Sequence, residues 1–105
     1  MDVAKDLEYV GQKLAKYREK IGEARDAGLY TRDAAKVEEK IHRVFKLQRK
    51  ARAQIKTLPP SERRAEVTKA YSELHHEAEA IVKNLLDFRA ELLLMNLSPA
   101  LNVER

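Results

Sequence analysis

The stretch SERRAEVTKAYSELHHEAEAIVKNLLDFRAELLLM, from Ser61 to Met95, decides the fold of this chain. Its apolar residues are spaced alternately by four and by three positions, without a break. This is the heptad pattern of a helix that buries one stripe of side chains against other helices. The stripe comprises Val67, Tyr71, Leu74, Ala78, Ile81, Leu85, Phe88, Leu92 and Met95.

Two earlier segments carry the same heptad pattern, and turn residues separate all three. The first stripe comprises Val3, Leu7, Val10, Leu14, Tyr17, Ile21 and Ala24. The second comprises Ala34, Val37, Ile41, Val44, Gln48, Ala51 and Ile55, so one of its members is polar. Gly28 favours the end of one helix, and Pro59-Pro60 prevents the next from continuing. The pattern therefore predicts helices at about 2–27, 32–56 and 60–96.

Short turns between these helices reverse the chain direction, so that three stripes of equal period can share one core. The sequence therefore predicts an all-α, antiparallel three-helix bundle of coiled-coil type. We expect residues 1–96 to form this single domain. The segment Asn96-Leu97-Ser98-Pro99 is typical of a helix end, so we expect residues 97–105 to be a C-terminal tail with a short turn or a frayed end.

The third helix is predicted to be longer than its neighbours. At 1.5 Å per residue it spans about 50 Å or more, against about 37 Å for each of the others. If helix 3 packs back along helix 2, helix 2 reaches only to about Leu85 or Leu86 of helix 3. Apolar side chains beyond that point must be covered by something else. The predicted partner-binding residues are Phe88, Leu92, Leu93, Met95 and Leu97.

The sequence allows three ways to bury this apolar end. The chain can form a homodimer through it, it can bind a different protein, or residues 97–103 can fold back over the end of the bundle. The sequence alone does not choose between them.

The net charge of +4 is unevenly distributed. Residues 40–64 contain nine basic side chains and one acidic side chain, whereas the third helix is rich in glutamate. Arg43, Lys46 and Lys50 follow each other by three and four positions, so they form one row on helix 2, with Arg49 beside it. This basic face can pair with the acidic third helix, or it can bind an acidic partner or a nucleic-acid backbone. No aromatic residue interleaves the row along helix 2, which favours backbone contacts over base contacts.

A Glu-x-x-His spacing occurs twice, at Glu39–His42 and at Glu73–His76. In di-iron four-helix bundles this spacing directs both ligands to the bundle interior. Here the apolar stripes place all four side chains on outward faces, so we expect no metal site. His75 flanks the third stripe, where we expect a partly covered histidine at a helix interface.

The sequence shows no arrangement that is typical of catalysis. Its three glycines are scattered and cannot form a phosphate-binding loop, and a narrow bundle offers little room for a catalytic cleft. We therefore expect no enzymatic activity, catalytic residue, cofactor or small-molecule substrate. The chain has no cysteine and no apolar run of about 18 residues, which favours a cytoplasmic protein without a membrane span.

These observations predict a non-catalytic helical interaction or adaptor module. It self-associates or docks a protein partner through the apolar end of helix 3. The alternative prediction is a small basic protein that binds the phosphate backbone of nucleic acid through helix 2.

Overall fold

The computed structural model describes residues 2–103, with the side-chain surroundings of residues 2–95. The described chain consists of three helices and has no strand. These are α1 (Val3–Ala27), α2 (Arg32–Thr57) and α3 (Glu62–Val103), and each packs against both of the others. The predicted three-helix bundle is confirmed, whereas the coiled-coil type of packing stays a prediction.

Local side-chain chemistry fixes where the helices begin. The Asp2 carboxylate accepts a hydrogen bond from the Ala4 amide at 3.0 Å, and the Thr31 hydroxyl accepts one from the Ala34 amide at 3.1 Å. The Ser61 hydroxyl accepts from the Arg64 amide at 3.2 Å. Each of these oxygens satisfies a backbone donor that the first turn of a helix leaves without a partner.

Gly28 ends α1 in the left-handed conformation, with φ at 64°. Its amide donates to the carbonyls of Ala24 and Arg25. A side chain at this φ is unfavourable, so glycine suits the position that turns the chain from α1 into α2.

The predicted stripes form the core. All seven stripe residues of α1 and all seven of α2 are buried. The α3 stripe is buried at its centre, while the side chains of Tyr71, Leu74 and Leu92 are half-buried and Met95 is exposed. The spacing of apolar residues therefore selects the correct face of every helix.

Gln48 is the polar member of the core, with 1% of its surface exposed. Its side-chain amide donates a hydrogen bond to the backbone carbonyl of Tyr71 at 3.2 Å, which joins α2 to α3. Its own carbonyl oxygen Oε1 is buried and has no hydrogen-bond partner among the described residues. Such an oxygen costs stability, because it has lost water without gaining a donor.

Contacts between helix ends give the direction of each helix. On α1 and α3, Arg18 pairs with Glu77 at 2.8 Å and Arg25 with Glu91 at 3.0 Å, so residue numbers rise together. On α2 and α3, Glu38 pairs with Arg89 while Gln48 contacts Tyr71, so residue numbers rise along α2 as they fall along α3. These two helices are therefore antiparallel. The chain thus reverses at both turns.

The third helix is longer than the other two, as predicted. It has 42 residues against 25 and 26, and the described chain is 66 Å long and about 20 Å wide. The helix continues through Pro99 to Val103, whereas the sequence predicted an end near residue 96. A proline removes one backbone hydrogen bond and kinks a helix, but the helix can continue beyond it. Residues 97–103 therefore do not fold back over the bundle.

Candidate functional site

The apolar end of α3 is the first candidate site. Leu93, Leu94 and Met95 are consecutive and expose 62%, 64% and 61% of their surfaces. Leu92 beside them is half-buried and packs against the core. Leu97 lies outside the residues whose side-chain surroundings are described. The exposed part of the predicted site therefore begins at Leu93.

Phe88 does not belong to this exposed end in the single chain, and its role as a partner-binding residue stays a prediction. Only 4% of its surface is exposed. Its ring centroid lies 6.1 Å from that of Tyr30, and the Arg25 guanidinium lies 5.0 Å from the ring centroid. The turn between α1 and α2 therefore covers α3 for about one helical turn beyond Leu85, the point where the sequence predicted the cover to end.

Hydrogen bonds within the chain engage four charged side chains near this end. Arg25 donates to Asn84 at 2.7 Å and to Glu91 at 3.0 Å. Glu38 accepts hydrogen bonds from Arg89, at 2.6 Å, and from the Tyr30 hydroxyl. Burial and the bond to Glu38 raise the pKa of Tyr30 to about 12, so its hydroxyl remains a donor at neutral pH.

A cleft of about 340 Å³ separates the turn at the top of α1 from α3. Leu29, which is 63% exposed, and Leu93 both line it. The apolar end thus combines the consecutive side chains on α3 with one leucine of the turn. An opposing protein surface can contact both at once.

The basic face is the second candidate site, and its residues divide between two sides of α2. Arg43, Lys46 and Lys50 line a groove between α1 and α2. Arg49 does not line this groove. It lies one helical turn after Phe45, which faces the opposite groove, between α2 and α3. Three of the four predicted residues therefore share one surface.

We call this surface the α1–α2 groove, and its volume is about 450 Å³. It is lined by five basic residues, two tyrosines and two apolar residues, namely Lys13, Lys40, Arg43, Lys46, Lys50, Tyr9, Tyr17, Val44 and Leu47. No acidic side chain is among the lining residues in the described part of the chain. The groove therefore concentrates positive charge beside two aromatic rings.

The two tyrosines come from α1, and reasoning from the basic row on α2 missed them. Tyr9 exposes 49% of its surface, and the Lys13 ammonium lies 5.4 Å from its ring centroid. Tyr17 is buried, and burial raises the pKa of its hydroxyl. The spacing of Tyr9 and Lys13 by four positions is the signal that places them side by side on α1.

Among the described residues, the acidic side chains of α3 form no ion pair with Arg43 or Lys46 of the basic row. Glu77 and Glu91 pair with Arg18 and Arg25 of α1. Among the described residues, the side chains of Arg43 and Lys46 make no ion pair. The sequence allowed the basic face of α2 to pair with the acidic residues of α3. In the part of the chain that the structure describes, Arg43 and Lys46 do not form such pairs.

The histidines lie where the apolar stripes place them. Glu39, His42, Glu73 and His76 are exposed, and no group of three metal-ligating side chains occurs within the described residues. His75 is half-buried, stacks on Tyr71 with centroids 5.8 Å apart and contacts Glu79 at 3.3 Å. It is a packed interface histidine, as predicted.

Comparison with known proteins adds no assignment, since no protein family, curated protein or solved structure matches this chain. Within residues 2–103, no helix has both the length and the hydropathy that crossing a bilayer requires.

Proposed function

We propose that this chain is a non-catalytic interaction module, and that two copies associate through the apolar end of α3. The observation that carries the proposal is the run of three exposed apolar side chains, Leu93 to Met95, on the helix that extends beyond the bundle. Contiguous apolar surface of this kind is typical of protein-binding sites. The cytoplasmic location of the chain stays a prediction.

Two features support a second copy as the partner. Four charged side chains near the end pair within their own chain, Arg25 with Glu91 and Arg89 with Glu38. The exposed apolar side chains Leu29, Leu93 and Met95 are left for an approaching surface. A short apolar patch on a helix is also self-complementary when two copies meet around a two-fold axis. The patch is small, so we expect a reversible dimer rather than an obligate one.

We expect Leu93→Asp to convert the dimer to a monomer, because the interface would then have to bury an unpaired carboxylate. Sedimentation velocity across a series of protein concentrations measures this change. Leu93 is a better probe than Leu92, whose side chain contributes to the core of the single chain.

Leu86→Asp is the matched control for this experiment. Leu86 is also an exposed leucine of α3, at 54%, but it lies beside α2 rather than beyond it. The control should remain dimeric. A Leu93→Asp variant that dimerises like the wild type would show that the end of α3 is not the interface.

We propose nucleic-acid binding as a second candidate function, and the α1–α2 groove is the observation that favours it. Its five basic side chains, without an acidic neighbour in the lining, suit a chain of phosphates. Contacts of this kind bind the backbone and depend strongly on salt.

We expect Arg43→Glu combined with Lys50→Glu to remove salt-sensitive binding of nucleic acid, because both side chains line the groove. The slope of log affinity against log salt should fall by about one unit for each lost phosphate contact. A titration with labelled oligonucleotide at several salt concentrations measures it. The double variant should keep its self-association, so the two functions are tested separately. Unchanged binding by the variant would exclude the groove.

A further inference from the structure

The α1–α2 groove has an aromatic ring on its rim, and this feature points to the form of nucleic acid that fits it. We propose that the groove binds single-stranded nucleic acid, with phosphates on its lysine and arginine side chains and one base stacked on Tyr9. The proposal rests on the second candidate function and specifies its ligand.

The basic side chains form a track of useful length. Lys40, Arg43 and Lys50 follow one side of α2, and a rise of 1.5 Å per residue separates the first from the last by about 15 Å. With one phosphate per 3.4 Å or more along a strand, this length accommodates about two to four phosphates. Lys13 contributes a positive charge from the opposite wall, on α1. One strand can therefore be held from both sides.

Tyr9 is the feature that a charge-only site does not need. About half of its surface is exposed, although burial of an aromatic side chain is favourable. The Lys13 ammonium is attracted to its ring, and the buried Tyr17 lines the same groove. An exposed ring beside a phosphate track is the arrangement on which bases of single strands stack.

A duplex cannot use this ring in the same way. Its bases are already stacked on each other, and only the backbone and groove edges face a protein. A duplex would therefore contact the basic side chains and leave Tyr9 without a stacking partner. An acidic polypeptide would likewise satisfy the positive charges alone. The position of Tyr9 thus favours the single strand over both.

The test is fluorescence anisotropy with a labelled 12-nucleotide oligo-dT, the matching oligo-U and a 12-base-pair duplex, all at low salt. We expect both single strands to bind more tightly than the duplex. Tyr9→Ala should weaken single-strand binding about 5- to 100-fold, the loss typical of one base stack, and leave duplex binding unchanged. Tyr9→Phe keeps the ring and should bind like the wild type. Circular dichroism of each variant checks that the helices are intact.

Lys46→Glu and Lys69→Glu form the matched pair for charge. Lys46 lines the groove, whereas Lys69 is exposed on α3, and both substitutions change the net charge equally. Lys46→Glu should weaken binding at least tenfold, and Lys69→Glu should have little effect. Equal effects of the two would overturn the groove as the binding site.

The remaining outcomes separate this proposal from the function on which it rests. Suppose that duplex and single strand bind with equal affinity and that Tyr9→Ala does not change the affinity. This result overturns the single-strand assignment but leaves polyanion binding by the groove intact. A higher affinity for polyglutamate than for either oligonucleotide, measured by competition at equal charge concentration, also overturns it and indicates an acidic protein partner. No binding of any probe at low salt overturns both.

Discussion

Replacing Leu85 with alanine will lower the free energy of unfolding by about 2–5 kcal/mol. Leu85 exposes 2% of its surface and belongs to the larger core cluster, where all three helices meet. The truncated side chain forfeits its burial and leaves a cavity that a close-packed core cannot fully close. Urea denaturation followed by circular dichroism measures the change.

Leu86 provides a control at the neighbouring position. It is the same residue in the same helix, but 54% of its surface is exposed. Leu86→Ala should lower the free energy of unfolding by no more than about 1 kcal/mol, because only about half of the side chain is buried and no cavity is left in the core. Similar losses at both positions would mean that the α3 stripe does not face the core.

Gln48→Glu should have an effect of similar size, because it places a carboxyl group in the core. Gln48 is 1% exposed, and the glutamate has almost the same shape. Burial raises the pKa of a carboxyl by as much as 3–5 units above its ordinary value of about 4.3, so the folded state keeps the group largely protonated at pH 7. The stability lost at neutral pH is then about 3–4 kcal/mol, the cost of protonating a group that is ionised in the unfolded chain. The loss should shrink as pH falls towards about 4, since the folded state then binds the proton more tightly than the unfolded chain. Thermal unfolding at pH 7 and at pH 4 measures both parts.

Gln48→Leu tests the same position in the opposite direction. It removes the hydrogen bond to Tyr71 but also the buried Oε1 that has no partner among the described residues. We expect it to stabilise the fold by about 1 kcal/mol. A Gln48→Glu variant as stable as the wild type at neutral pH would show that the position is hydrated and not part of the core.

The core could be predicted from sequence because one physical rule governs it. A helix buries the face on which its apolar residues recur, and the heptad spacing names that face without any knowledge of its neighbours. Val3 to Ala24 on α1 and Ala34 to Ile55 on α2 follow the rule at every stripe position. Gln48 is buried because its position in the stripe outweighs its polarity.

The candidate sites were only partly predictable, because they depend on how the helices are arranged around the core. The heptad pattern is the same whichever side of α2 is occupied by α1. The side of α2 on which α1 packs places Tyr9 and Lys13 beside the basic row. The same arrangement lets Arg18 and Arg25 of α1 form ion pairs with acidic residues of α3. Neither result follows from the sequence of α2 or α3 alone.

Phe88 shows a second limit of reasoning from helix lengths. Counting residues along α2 correctly predicts that α3 extends beyond it. Such a count omits the turn between α1 and α2, where Tyr30 packs over α3 and covers Phe88. The exposed end therefore begins five residues later than predicted, at Leu93.

A distance measurement between copies tests directly whether α3 extends beyond the bundle and buries its apolar end in a second copy. Because the chain contains no cysteine, one spin label can be attached at Ala90→Cys and, separately, at Ser72→Cys. Double electron–electron resonance then measures distances between copies. We expect a distance on the order of 20–30 Å at position 90, the width of two packed helices with their labels. Position 72 lies about 27 Å farther along α3 in each copy, so its distance should be much longer. The absence of any distance between copies at position 90, at concentrations where the wild type is tested for dimers, would contradict burial of the apolar end in a second copy.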